Sequence, residues 1–285
     1  MPSLTIPLLD GTSVPWLAFG SGTALWQQDA AEQVSNAITA GFRHIDTAQM
    51  YANESSVGEG IVKSGVPRSE LYITTKLDKL PAGQTVKDAL KDSLQKLRTD
   101  YVDLFLIHMP LDHPDLKGTW KQMEELKAEG LSKTIGVSNF QPKHLDIILD
   151  GASVVPAIEY NPYLYKATQP LLEYMKKHNI AAMSYGGLGP VTALPNGPAE
   201  HIFEKVATRL SKETGVQVTK AQVLQIWLRK KGVICVTTSR KKERLQEYVR
   251  VSQVPDITDE EEREIDQEGS KAHHRVWATW IDEGL

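Results

Sequence analysis

Cysteine is almost absent: a chain of 285 residues carries one, Cys235. No internal disulfide can form, which agrees with a reducing compartment, and a cytoplasmic protein is expected. No apolar run is long enough to cross a membrane. The first ten residues lack a basic stretch followed by an apolar core, so no signal peptide is expected. Charge of one sign is not in excess either. Lys and Arg number 32 against 36 Asp and Glu, a net charge of −4 with both signs interspersed. That argues against a nucleic-acid footprint or a polybasic membrane patch, while leaving room for a local basic cluster. The histidines, among them His108, His113 and His144, lack the paired spacing of a zinc site, and His273-His274 falls in a tail, so no metal is expected. No linker, low-complexity stretch or second composition regime divides the chain, which is read as one domain, 1–285, acting as a monomer on a small molecule.

What remains is alternation. Leu4 to Leu9, Asp10-Gly11 and Val14 to Phe19 read as a hairpin with Asp-Gly as its two-residue turn. Ala31, Val34, Ala37 and Ile38 then mark one face of a helix that stops at Gly41. Strands are expected at Trp16–Gly20, His44–Asp46, Tyr72–Lys76, Tyr101–Ile107, Thr134–Ser138, Ala157–Glu159, Ile180–Ser184 and Val233–Thr238. Seven of the eight are followed by helical patterns. These include the Val86, Leu90, Leu94, Leu97 face and the segment Leu171 to His178. Gly186 to His201 reads as a long loop, and Lys242–Val249 and Thr258–Glu268 as closing helices. Alternation at this frequency implies a parallel sheet, and eight strands can close. The expected fold is α/β, a (β/α)8 TIM barrel with an N-terminal β-hairpin and additional C-terminal helices; an open doubly wound sheet is the alternative.

In such a barrel, ligands bind at the C-terminal ends of the strands. Asp46, Lys76, His108 and Ser138-Asn139 fall there, with Tyr51 shortly after Asp46. Each has an ordinary alternative: Asp46 as a cap, Lys76 as a surface partner of Asp78, His108 as a core histidine. Their combination suggests proton chemistry. A phenol has a pKa near 10, about three units too high for easy donation at neutral pH. A nearby ammonium lowers it, and a carboxylate holds the ammonium. A histidine beside the phenol can orient a carbonyl oxygen. This set contains no nucleophile, and its natural partner is hydride from a nicotinamide or flavin. Gly20-Ser21-Gly22 is no dinucleotide fingerprint, since the third glycine and ribose acid are missing. The basic stretch Ser239-Arg240-Lys241-Lys242-Glu243-Arg244 follows the last strand, where barrel phosphate sites form. Gly186 to His201 is a candidate lid, and Trp26, Met109 and Tyr163 are candidates for a substrate pocket.

At this point the chain resembles an aldo-keto reductase over nearly its whole length. Gly41-Phe42-Arg43-His44-Ile45-Asp46-Thr47-Ala48, with Glu54 and Val57-Gly58, matches the family's first signature. Thr74-Thr75-Lys76, Asp100 to Leu104 through His108, and Ile135 to Phe140 match further blocks. The resemblance implies a catalytic tetrad of Asp46, Tyr51, Lys76 and His108, with Tyr51 the acid in reduction. It implies that Ser138 and Asn139 hold the nicotinamide carboxamide and that Tyr185 stacks on the ring. Gly22, Thr23, Asp46 and Leu188 would contact the cofactor, and Trp26, Tyr51, His108 and Met109 the substrate. Ser239, Lys241 and Arg244 would meet the 2′-phosphate of NADPH, with NADH the alternative cofactor. Val236-Thr237-Thr238-Ser239 looks like the fungal branch that reduces α-keto amides, α-keto esters and conjugated diketones. Departures are Ala157 for the usual glutamine, Thr238 for a lysine, Gly186-Gly187 for Ser-Pro, and Met109 for a tryptophan. Arg240 and Lys241 are candidates to replace the missing phosphate charge. An NADPH-binding interaction protein on the same fold and a phosphate-binding barrel isomerase or lyase stand as rival functions.

Overall fold

The computed structural model describes residues 4–149 and 155–282; residues 1–3, 150–154 and 283–285 of the expected 1–285 domain lie outside the described residues. An antiparallel hairpin opens the chain, β1 (Thr5–Pro7) and β2 (Ser13–Pro15), with Ile6 opposite Val14. Eight strands then form a closed parallel barrel: β3 (Leu17–Gly20), β4 (His44–Asp46), β5 (Tyr72–Leu77), β6 (Val102–Ile107), β7 (Ser132–Ser138), β8 (Pro156–Glu159), β9 (Met183–Tyr185) and β10 (Ile234–Thr237). Each pairs with the one before it, and β10 returns to β3.

Outside the barrel lie α1 (Ala31–Ala40), α2 (Glu54–Lys63), α3 (Val86–Leu97), α4 (Leu116–Ala128), α5 (Pro142–Ile148), α6 (Tyr165–Lys177), α7 (Gly189–Thr192), α8 (Glu200–Thr214), α9 (Lys220–Lys230), α10 (Lys242–Arg250) and α11 (Asp259–Gly269). The apolar faces read from the sequence are the buried ones: Ala31, Val34, Ala37 and Ile38 in α1, and Val86, Leu90, Leu94 and Leu97 in α3. α1 stops where Gly41 takes φ +119° and its N–H caps the carbonyls of Ala37 and Ile38, a conformation that strains any residue with a Cβ.

Two-residue periodicity sorts the strand side chains. Phe105 and Ile107 of β6 enter the large core between barrel and helices. Leu104 and Leu106 point into the barrel, with Ala157, Met183 and Ile234 and with Leu8 and Val14 of the hairpin. The hairpin therefore plugs the N-terminal end of the barrel. Both faces of β6 are dry, which explains its run, apolar but for Asp103. Each such leucine or phenylalanine removed from water contributes ~2 kcal/mol.

The hairpin turn is wider than the two residues expected. Pairing ends at Pro7 and Ser13, and the loop between closes by Leu8 N–H donating to the Thr12 carbonyl (2.8 Å). The cause is Asp10, whose carboxylate turns inward to accept from Thr12 N–H (3.1 Å), Lys127 Nζ (2.7 Å) and Thr134 Oγ1 (2.9 Å). α6 starts at Tyr165 and runs through Pro170, instead of starting at Leu171. Asn161 launches it early by capping the turn Pro162–Leu164, accepting from Tyr163 N–H. β9 lies later than Ile180–Ser184, because its register is set by Ala157 and Glu159 of β8. The Gly186–His201 loop contains the single turn α7, and helices follow all eight barrel strands, one more than expected. No described helix is long and apolar enough to cross a membrane.

Candidate active site

The parallel strands all end at one mouth of the barrel, so the last inward side chains gather there. Gly20, Asp46, Lys76, His108, Ser138, Ala157, Met183 and Val236 line a cavity of about 340 Å³ at the C-terminal end of the barrel. Asp46 neither caps a helix nor meets solvent. Lys76 donates from Nζ to both its oxygens (2.7 and 2.8 Å) and to the Thr47 carbonyl (2.9 Å), instead of pairing with Asp78. The ion pair is dry, with the two side chains 3% and 6% exposed. The remaining reach of the ammonium is toward Tyr51 Oη, 3.4 Å away. Tyr51 is delivered by a one-turn 3-10 helix, Gln49–Tyr51, after β4. A Cβ on Gly22 would lie 2.9 Å from the Tyr51 ring, so glycine there leaves room for the phenol.

The electrostatics depart from expectation at Tyr51. Burial raises the phenol's pKa above 10, and the Lys76 charge pulls it down without reversing that; the Asp46 charge adds to the rise. Lys76 itself is held above its usual value: burial is the largest influence and opposes its charge, but the Asp46 carboxylate and the Tyr51 oxygen together outweigh it. His108 is edge-on to Tyr51, centroids 5.6 Å apart. Burial first, and the Lys76 charge second, push it down to about 3, so the imidazole is neutral at physiological pH. Its Nδ1 is buried without a partner in the structure.

Asn139, at φ +63°, donates from its amide to the His108 carbonyl (3.1 Å) and to Ser138 Oγ (3.0 Å), and its oxygen accepts from the Tyr185 hydroxyl. Gly22, Thr23, Tyr185 and Leu188 line the cavity, as do Trp26 and Met109. Tyr163 does not; it is buried in the core. At the far end the wall is Thr238 and Arg244. Ser239 and Lys241 are not among the lining residues, and Ser239 Oγ accepts from Lys241 N–H (3.1 Å). Arg240 is turned away from the role of replacement phosphate charge: its guanidinium donates to the Ala24 carbonyl and to Gln28 Oε1 (2.6 Å).

Sequence reasoning missed a whole wall. The sequence suggests only a tail around His273-His274, yet His274, Val276, Trp277 and Ala278 line the cavity. Buried Glu159 seats it, accepting from the N–H groups of Val276 and Trp277 (both 2.9 Å). Gly186 at φ +66° leaves the ground for the Trp277 ring, 3.0 Å from where a Cβ would sit. The signal available was two tryptophans, Trp277 and Trp280, beyond the last amphipathic helix.

The cavity fits a phosphorylated nicotinamide dinucleotide. One end offers a guanidinium and the Thr238 hydroxyl, buried and without a partner; the other offers an amide and hydroxyl pair beside an aromatic ring. Among the described residues no cluster of His, Cys, Asp and Glu could hold a metal. The family model for the Aldo/keto reductase family matches residues 16–268. The chain is similar to an NAD/NADP-dependent indole-3-acetaldehyde reductase of Schizosaccharomyces pombe, 36% identical over 96% of this chain and 98% of that one. It is similar to a glyoxal reductase of Bacillus subtilis, 36% identical over 85% of each chain. Among solved structures it resembles a Bombyx mori aldo-keto reductase in complex with NADP, with a TM-score of 0.84, 30% identity and coverage of 99% of this chain and 98% of that one.

Proposed function

Since this chain belongs to the aldo/keto reductase family and is an NAD(P)H-dependent oxidoreductase that uses NADPH, we propose that it reduces aldehydes and activated ketones with Tyr51 as the general acid. The observation that carries this reading is the line Asp46, Lys76, Tyr51, in which one dry ammonium touches both a carboxylate and a phenol. When bound, the nicotinamide supplies a hydride to the carbonyl carbon. Tyr51 gives its proton to the carbonyl oxygen, and the charge left on the phenol is stabilised by Lys76, which Asp46 and the Thr47 carbonyl hold in place. The raised pKa keeps Tyr51 protonated over the working range, and transfer is still downhill because an alkoxide is more basic than a phenolate. Neutral His108 is the hydrogen-bond donor that orients the oxygen. It is not the acid, because an imidazolium at about 3 is scarce near neutrality.

On the same reading Ser138 and Asn139 hold the carboxamide, Tyr185 stacks on the ring, and Gly22, Thr23 and Leu188 flank the cofactor. Arg244, which lines the cavity, meets the 2′-phosphate and favours NADPH over NADH, with Ser239 and Lys241 behind the lining on the same stretch. Trp26, Met109, Tyr51 and His108 meet the substrate. The stretch Val236 to Ser239 supports α-keto amides, α-keto esters and conjugated diketones as preferred substrates, and Met109 leaves a softer wall than tryptophan. The enzyme acts as a monomer of one barrel domain in the cytoplasm. Cys235, buried with its thiol pushed up to about 12, supports a chain without redox chemistry of its own.

The test is loss of the reduced-nicotinamide absorbance with a panel of aldehydes, α-keto esters and diketones. The expected outcome is turnover on the panel that falls about 10²- to 10⁴-fold in Tyr51→Phe. A folded protein silent across the panel, or a Tyr51→Phe enzyme as fast as the parent, overturns the reading.

A further inference from the structure

We propose that Gln49 is a positioning residue for the reduction, locking the turn that carries Tyr51 to the strand end that carries Lys76. This rests on the reading of Tyr51 as general acid. The 3-10 turn Gln49–Tyr51 is one turn long, closed by Tyr51 N–H to the Ala48 carbonyl (3.1 Å) and Ala52 N–H to the Gln49 carbonyl (3.1 Å), with Ala52 left-handed at φ +53°. So short a piece cannot hold its own geometry, and its place is set by what it is tied to. On one side Gln27 N–H donates to the Tyr51 carbonyl (3.0 Å).

On the other side the ties come from the Gln49 side chain. Its Oε1 accepts from Asp78 N–H (2.9 Å), two residues beyond Lys76. Its Nε2 donates to the Ala89 carbonyl (3.0 Å) and to Ser93 Oγ (2.9 Å), both on α3. Ser93 donates onward to Glu54 Oε2 (3.1 Å), and Glu54 Oε1 accepts from Thr75 Oγ1 (2.6 Å), next to Lys76. The bonds close a ring from Gln49 through α3 and α2 to β5 and back. That ring lies behind the layer in which Lys76 Nζ and Tyr51 Oη are 3.4 Å apart. A glutamine suits the place because it both accepts and donates twice. Glutamate keeps the Asp78 bond but loses both donations and sets a second carboxylate near Glu54. Leucine fills the space and loses all three bonds.

Gln49→Leu and Gln49→Glu separate positioning from packing. The titratable groups that face the Tyr51 phenol are Lys76, Asp46, His108 and Tyr185, and only Lys76 lowers it, so the alkaline limb of the reductive pH profile reports how closely Lys76 attends it. The expected result is a fall in kcat of about 10- to 100-fold. KM and the NADPH dissociation constant, read by tryptophan fluorescence, stay within about twofold, and the alkaline limb moves upward as the phenol loses the ammonium. An unchanged kcat overturns the proposal. So does a lower kcat with the limb unmoved, which marks a packing role. If Gln49→Leu does not fold, Gln49→Glu carries the same test. Tyr51→Phe run alongside tells the failures apart. An active Tyr51→Phe sinks the general-acid reading and this proposal together. An inactive one with a parent-like Gln49→Leu sinks this proposal alone.

Discussion

Asp46 and Asp103 sit at opposite ends of the barrel, and both are buried carboxylates that meet a lysine near a tyrosine. At the closed end, Asp103 accepts from Arg68 (2.7 Å), Lys133 (2.9 Å) and the Ile73 N–H (2.9 Å). Lys133 is half-exposed and lies over the face of Tyr101, 4.4 Å from its centroid, with Arg68 at 4.0 Å. Two cations share one carboxylate there, and water reaches both of them. At the open end the lysine is 3% exposed, and it is aimed at the phenol oxygen of Tyr51 beside a cavity. Residue types alike are bound up in structure in one place and, on the proposed function, are left for chemistry in the other. The difference is whether the cation has reach left after its carboxylate is satisfied, and whether a cavity brings a reactant to it.

Breaking the open end should give the largest effect. Lys76→Met should cost about 10²- to 10⁴-fold in kcat with NADPH binding kept, measured by steady-state rates and fluorescence titration. Retained turnover would remove the contrast between the two ends.

Between them lies His44, an inward residue of β4 whose ring nitrogens meet Thr74 Oγ1 (2.8 Å) and the Pro15 carbonyl (3.2 Å). Burial, despite the neighbouring Asp46 charge, pushes its pKa down to about 4 from 6.5. The unfolded chain therefore binds the extra proton between these values, and stability falls as pH drops through that window. The loss approaches about 3 kcal/mol below pH 4. Urea unfolding at several pH values should show a smaller acid loss in His44→Asn than in the parent, the remainder coming from the likewise depressed His108. Equal acid slopes in the two would mean that His44 is protonated in the fold.

The closed end should show the smallest effect, and on stability alone. Asp103→Asn should lose about 2 kcal/mol, less than a fully buried pair because Arg68 and Lys133 keep water. Its kcat should stay within about twofold of the parent. A large fall in kcat would mean that the two ends are coupled.

The open end was readable in advance to a large degree, for a physical reason. A strand alternates its faces, so Asp46, Lys76 and His108, each at or just past a strand end and out of phase with the apolar positions Ile45, Ile73, Leu77, Phe105 and Ile107 that face the helices, had to meet once the sheet closed. Tyr51 follows Asp46 by one short turn. Less was readable where a contact joins segments far apart. Nothing local told that Glu159 would bind the backbone of Val276 and Trp277, or that Arg240 would reach across to Ala24 and Gln28. The helix expected at Leu171 starts earlier, at Tyr165, because the capped turn Pro162–Leu164 launches it.

Periodicity and glycine stops were enough to point to an eight-stranded barrel, and strand ends to the side chains gathered at its mouth. These are short-range properties, carried by neighbours in the chain. The balance at Tyr51 belongs to another kind of quantity. Whether burial or Lys76 prevails depends on every atom that excludes water from the phenol. Those atoms come from strands and loops scattered along the chain, so only the folded molecule could decide it.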